Sequence, residues 1–229
     1  QDVWTLNPGF SIGRAGGKST SGFELEELNL LGLGTQLGLA FKSGIDRDST
    51  SVYYRDRQLG KSRWDLSLKY SDNSDGRLGE TSFEHPFYAL DSRWAAGVAV
   101  RDDRRIDSRY DLGEVIDRYD TTQQYASLYW GRSSGLHDGW VRRWTFGLTV
   151  DDRAYRAAAD ASSPRLLPVD RKLVYPWIGA EWVQDDYRTE RNRDQIGKTE
   201  DFLLGWHLKG QLGLASPSLG SDRTAVMLS

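Results

Sequence analysis

The stretch R-W-T-F-G-L-T-V-D (143–151) decides the fold class. Trp144, Phe146, Leu148 and Val150 alternate with Arg143, Thr145, Gly147, Thr149 and Asp151. A period of two places the apolar set on one face of a strand and the polar or small set on the other. The pattern recurs in 63–70, where Trp64, Leu66, Leu68 and Tyr70 alternate with Arg63, Asp65, Ser67 and Lys69. It recurs again at Leu37, Leu39 and Phe41, and at Phe202, Leu204, Trp206 and Leu208. Helical periodicity is nearly absent.

Worked outward, the pattern predicts about eleven strands, over 3–14, 19–29, 34–43, 49–56, 63–72, 77–85, 93–102, 121–132, 142–152, 172–184 and 200–214. Residues 224–228 begin another. The connections alternate between two kinds. Polar ones lie at 15–20, 43–49, 71–77, 102–120 and 153–171, and 102–120 reads as a folded surface loop with room for one short helix. Compact ones lie at 29–35, 57–64 and 87–94, and Trp64 and Trp94 stand thirty residues apart. Two strands of about ten residues fill that repeat, and about ten residues is what a tilted strand needs to cross a bilayer. The connection 185–199 breaks the alternation, being long on the short-turn side. No linker divides the chain, so residues 1–229 read as one domain.

Composition narrows the classes. Twenty-four Gly, nine Trp and eleven Tyr lean toward an all-β chain. A net charge of −3 and a pI of about 5.7, with basic residues scattered through every loop, exclude a nucleic-acid partner. There are no cysteines, hence no disulfide and no thiolate metal site. No run approaches the about 18 apolar residues of a transmembrane helix. Gln1-Asp2-Val3 is not a signal peptide, so the expectation is a processed chain or an internal piece of a longer one.

A soluble sandwich alternates too. Three features favour a transmembrane barrel: hairpins follow one another as a meander, the polar face carries Asp65, Lys69, Glu80, Glu84 and Glu181 in mid-strand, and aromatics gather at strand ends. Trp64, Trp94, Trp144, Trp177 and Trp182 are the expected aromatic girdle.

The stretches W-T-L-N-P-G-F-S-I-G-R (4–14), G-F-E-L-E-E-L-N-L-L-G-L-G (22–34), S-R-W-D-L-S-L-K-Y-S-D-N-S-D-G (62–76) and F-E-H-P-F-Y-A-L-D-S-R-W-A-A-G-V (83–98) carry a resemblance. Together they resemble the barrel of the BamA/TamA-like superfamily of outer-membrane assembly and translocation factors. The resemblance spans most of the chain and implies a sixteen-stranded barrel, periplasmic POTRA domains ahead of it, and a weak seam between first and last strands. The chain departs from that pattern in four respects. No POTRA-like segment precedes Gln1, only about eleven strands fit, no Arg-Gly pair supplies the lumenal loop motif, and the C-terminus lacks a terminal aromatic. The expectation is the N-terminal two-thirds of a barrel in the bacterial outer membrane. Its partners would be the bilayer, client outer-membrane proteins and POTRA domains of the same full-length chain.

Candidate chemistry is sparse. Glu24, Glu26 and Glu27, and Glu80 with Glu84, read as lumen-lining charge rather than a catalytic pair. His85, His137 and His207 lie far apart without ligand spacing, so no metal or cofactor is expected. No G-x-S-x-G elbow occurs, and A-G-G-K-S-T (15–20) reads as a hairpin loop. The expected activity is therefore not enzymatic. Two segments stand out. The first strand, with Trp4, Leu6, Pro8, Gly9, Phe10 and Ile12, is the expected seam, its ladder weakened by Pro8 and Gly9 or bulged there, with a thinned hydrophobic belt nearby. The turn with Arg188, Arg191, Arg193, Glu200 and Asp201 is the expected periplasmic contact, or an ordinary solvated turn. Two other functions stay open: a passive porin or anchor barrel, and a soluble Trp-rich carbohydrate-binding β-domain.

Overall fold

The computed structural model describes residues 5–15, 17–158, 167–191 and 199–229, with only the backbone described at 15, 190, 191, 199–201 and 203. The chain is all-β, and the described residues contain no α-helix. The strands are β1 (Leu6–Ala15), β2 (Lys18–Leu30), β3 (Thr35–Ser43), β4 (Asp48–Asp56), β5 (Asp65–Asn73), β6 (Gly76–His85), β7 (Trp94–Asp111), β8 (Glu114–His137), β9 (Trp140–Ala157) and β10 (Arg171–Gln184). Then follow β11 (Tyr187–Arg191), β12 (Thr199–Leu203), β13 (His207–Ala215) and β14 (Ala225–Leu228).

Twelve of these form one antiparallel sheet in the order β1 to β10, then β13 and β14. Each strand lies beside its sequence neighbour, so the meander read from the sequence is the observed topology. The hairpin β11–β12 forms a separate two-stranded sheet inserted between β10 and β13. The sheet is open, with β1 and β14 as its edges.

Three expectations are corrected. The segment 102–120 is not a loop and contains no helix. It continues β7 and opens β8 across a turn at Leu112 and Gly113, whose φ values of 48° and 88° fit the two-residue turn that matches strand twist. Its alternation escaped the hydrophobic pattern because both faces are charged. Arg101 and Arg105 each reach Asp103 (3.2 and 2.5 Å), and Arg105 also reaches Asp107 (2.9 Å), all two residues apart along one strand face. Second, β9 runs on to Ala157, beyond its expected end. Third, 200–214 is two strands in two sheets; the further strand expected from 224 is present as β14, Leu212 pairing with Leu228.

By internal contacts the chain divides into two compact units. One holds 1–84, 98–127 and 150–173, and the other 85–97, 128–149 and 174–229. In the first, register sorts the side chains cleanly. Phe10 faces Phe23, which faces Phe41; Leu25 faces Leu39, which faces Val52, which faces Tyr70. The alternate set on the opposite face holds Glu24, Gly38, Tyr53, Lys69 and Glu80. In the second unit, Ile178 faces Leu212, and Glu181 faces Lys209 on the opposite side.

Solvation is inverted relative to a soluble domain. Phe10 is 77% exposed and Ile12 92%, and Trp144, Phe146 and Leu148 are exposed as well. Among the described residues most buried side chains are small or polar, such as Ala40, Ala95, Ser71, Ser133, Thr121, Asp65 and Asp103; Leu173 and Val183 are the larger apolar exceptions beside Val141. Left in water, each large apolar side chain forfeits about 1.5–3 kcal/mol of burial. Monomeric soluble proteins rarely leave such faces open.

Candidate functional site

β1 is an edge strand, paired with β2 without a break from Leu6–Glu27 to Ala15–Lys18. The expected bulge at Pro8 and Gly9 is absent. The register shift falls between β2 and β3 instead, at Glu27 and Leu30. Pro8 does not weaken the β1–β2 ladder either. The Leu28 N–H donates to the Thr5 carbonyl (2.9 Å), which makes Thr5–Leu28 a hydrogen-bonded pair. In an antiparallel pair such positions alternate, so Asn7, Gly9, Ser11 and Gly13 bond to β2. Leu6, Pro8, Phe10 and Ile12 turn their backbone groups to the open edge. Their side chains share the apolar face, and Gly9 lies on the opposite face beside Glu24. Proline therefore stands where its missing donor costs the existing ladder nothing. Trp4 lies outside the described residues.

The polar face of the first unit is laced with charge pairs. Arg55 grips Asp65 (2.7 Å), and Glu80 meets both Lys69 (3.8 Å) and Arg101 (3.4 Å). Asp151 takes Arg171 (2.5 Å), Arg153 (3.3 Å) and the amide of Gln123 (2.9 Å). A concavity of about 500 Å³ opens among Lys69, Glu80, Arg101, Gln123 and Arg153. The Tyr53 hydroxyl donates to Glu26.

In the second unit the centre is Arg143, a residue the sequence did not single out. Its guanidinium donates to Glu181 (3.2 Å) and to the Ala89 carbonyl (3.2 Å), and it lies 5.0 Å from the Phe87 ring centroid. His207 Nε2 stands 2.7 Å from the other Glu181 oxygen. The turn 86–93 is thereby tied to β9, β10 and β13. The available signal was a bulky charge inside an otherwise small set, Arg143 against Thr145 and Gly147.

Four of the tryptophans expected in a girdle make ring contacts. Trp64 stacks on Phe83 (4.5 Å, 9°), Trp94 on His85 (3.9 Å, 9°), and Trp144 meets Trp182 edge-on (6.0 Å, 73°). Each of these tryptophans stands within five residues of a turn or strand end. Trp177 is corrected: it lies on the polar face, one residue out of phase with Ile178 and Trp182. There its ring covers Gly147, where a Cβ would overlap it, and its Nε1 donates to Thr149 (3.0 Å).

The charged turn is a hairpin, with Arg188 opposite Phe202, Glu190 opposite Glu200, and Arg191 opposite Thr199. Its base is fastened by the Asp185 N–H, which donates to the Gly139 carbonyl (2.8 Å). Arg188 is exposed. Arg193 lies outside the described residues, as do the side chains of Arg191, Glu200 and Asp201. His137 meets Asp138 (3.5 Å), and among the described residues no group of three His, Asp or Glu is placed to hold a metal ion.

No protein-family model, curated protein or solved structure matches the chain.

Proposed function

We propose that the chain is a wall of an outer-membrane β-barrel that assists assembly, insertion or translocation by strand pairing at β1, without chemistry. The inverted solvation carries this reading: the exposed face is apolar, and the face that encloses charge is ion-paired. Lipid is the solvent that suits the first, and a wet interior suits the second. On β9 the apolar run from Trp144 to Val150 is bracketed by Arg142 and Asp152. Six residue steps span about 20 Å along the strand, short of the about 25 Å band usual in such barrels. A thin belt lowers the barrier to lateral entry. At the open edge of β1, the backbone of Leu6, Phe10 and Ile12 offers donors and acceptors that lipid cannot satisfy. The resemblance adds the expected partners, client outer-membrane proteins and POTRA domains.

The test has two steps. Alkali-washed membranes of cells expressing the chain are probed with an antibody to 102–120; extraction into the soluble fraction overturns the membrane assignment. A single cysteine at Ile12 is then crosslinked to nascent barrel proteins. An embedded chain that yields no such adduct rules out β1 as a pairing edge. The density of ion pairs on the polar face favours a second reading, a passive channel or anchor. Steady conductance in planar bilayers, with normal envelope assembly on deletion, would establish that instead.

A further inference from the structure

Arginines on the polar face are ion-paired: Arg55 with Asp65, Arg105 with Asp103, Arg143 with Glu181, Arg171 with Asp151. Arg132 and Arg142 differ. They share the strand parity of Trp130 and Trp144, so they stand on the apolar face, and both are exposed. Among the described residues neither has a carboxylate partner.

Both line a concavity of about 670 Å³ together with Arg93, Ser134, Trp130 and Trp144, and no carboxylate borders it. Its apolar side is aromatic, Trp130 stacking on Phe146 (6.4 Å, 22°). The third guanidinium is held in place. Arg93 donates to the Ser134 carbonyl, and it packs where a Cβ of Gly135 would collide with it; Gly135 is free of that atom and has φ +74°. Three uncompensated cations thus border an aromatic surface, and same-face neighbours along a strand are about 7 Å apart. That order, cation then aromatic, complements phosphate then acyl chain. The site belongs to the short-turn end, beside the β8–β9 turn at Asp138–Gly139.

The geometry points to a binding site for the phosphate of an anionic phospholipid, held by Arg93, Arg132 and Arg142, in the leaflet on the short-turn side. Its acyl chain lies over Trp130 and Phe146. The inference rests on the membrane reading.

The full chain is reconstituted in phosphatidylcholine vesicles, and flotation is recorded first. Tryptophan quenching is then compared between brominated phosphatidylglycerol and brominated phosphatidylcholine, with inorganic phosphate as competitor. The expected result is preferential quenching by phosphatidylglycerol, falling about fivefold for each guanidinium removed, near parity in the Arg132→Gln/Arg142→Gln variant and retained in the Arg132→Lys/Arg142→Lys variant. Should the double glutamine variant fail to float, Arg142→Gln alone is read in its place. Equal quenching by both lipids in a floating wild-type chain overturns the site alone. Displacement of the lipid by millimolar inorganic phosphate makes it a free-anion site and overturns the lipid assignment. A chain that does not float overturns the membrane reading.

Discussion

Tyr53 lies across Gly38, its cross-strand partner, and its hydroxyl donates to Glu26 one strand further on. Glu26 pairs with Gly38 from the other side, so the ring bridges three strands over a position without a side chain. A Cβ at Gly38 would overlap the ring. Gly147 beneath Trp177 repeats the arrangement. Gly38 and Gly147 are therefore seats for flat aromatics, which cover backbone that larger side chains would otherwise shield.

Gly38→Ala should destabilise the chain by about 1–3 kcal/mol, the usual cost of overpacking. Urea unfolding in detergent measures it. The Gly38→Ala/Tyr53→Ala double variant should lose less than the sum of the two single losses, because the clash disappears with the ring. Additive losses would refute the seat.

Pro8→Ala restores a donor on the open edge and leaves the β1–β2 ladder untouched. Stability should fall by about 1–3 kcal/mol, the cost of a donor that folding leaves unpaired away from water. Crosslinking from a cysteine at Ile12 to a client strand, or to a second copy, should rise. A gain in stability would show that Pro8 faces β2, where the new donor would complete a ladder hydrogen bond.

Arg143→Ala should cost about 3 kcal/mol, because Glu181 would keep only His207 as a partner in a half-buried setting. Protease cleavage within 86–93 should accelerate, as the Ala89 carbonyl loses its donor. Arg143→Lys should recover part of the stability but not the protection, since one ammonium cannot serve both acceptors and the ring. Unchanged cleavage in the alanine variant would remove Arg143 as the tie.

Tyr110, at the end of β7, donates to Asp46 in the connection between β3 and β4. That hydrogen bond, with burial and the carboxylate charge after it, raises the phenol above its ordinary range. A raised value means that the neutral phenol is favoured in the folded state. The contact is therefore fully present below the ordinary tyrosine value of about 10, and it is lost as pH rises through the folded one. Difference titration against Tyr110→Phe should place Tyr110 last among exposed tyrosines, and Asp46→Asn should bring it back down. An unshifted Tyr110 in wild type would mean that the contact does not persist in solution.

Some of this was written into the chain residue by residue. Alternation at 35–41, 63–70 and 143–151 is local, because successive side chains on a strand must point to opposite faces whatever surrounds them. The meander was also legible, since short turns force neighbours to pair. The 102–120 hairpin was not, because alternation of charge within each face carries no hydrophobic signal. Trp177 was misplaced by its nearness to Trp182, although its parity with Gly179 and Glu181 already set it on the other face. The rest belonged to tertiary structure. Which backbone groups of Pro8 face the open edge depends on register with β2, and which glycine seats which aromatic depends on the strand beside it. The convergence of Arg143, Glu181, His207 and Phe87 joins residues up to 120 positions apart in sequence. Period two sets which side chains share a face, but only pairing between strands decides which of them touch.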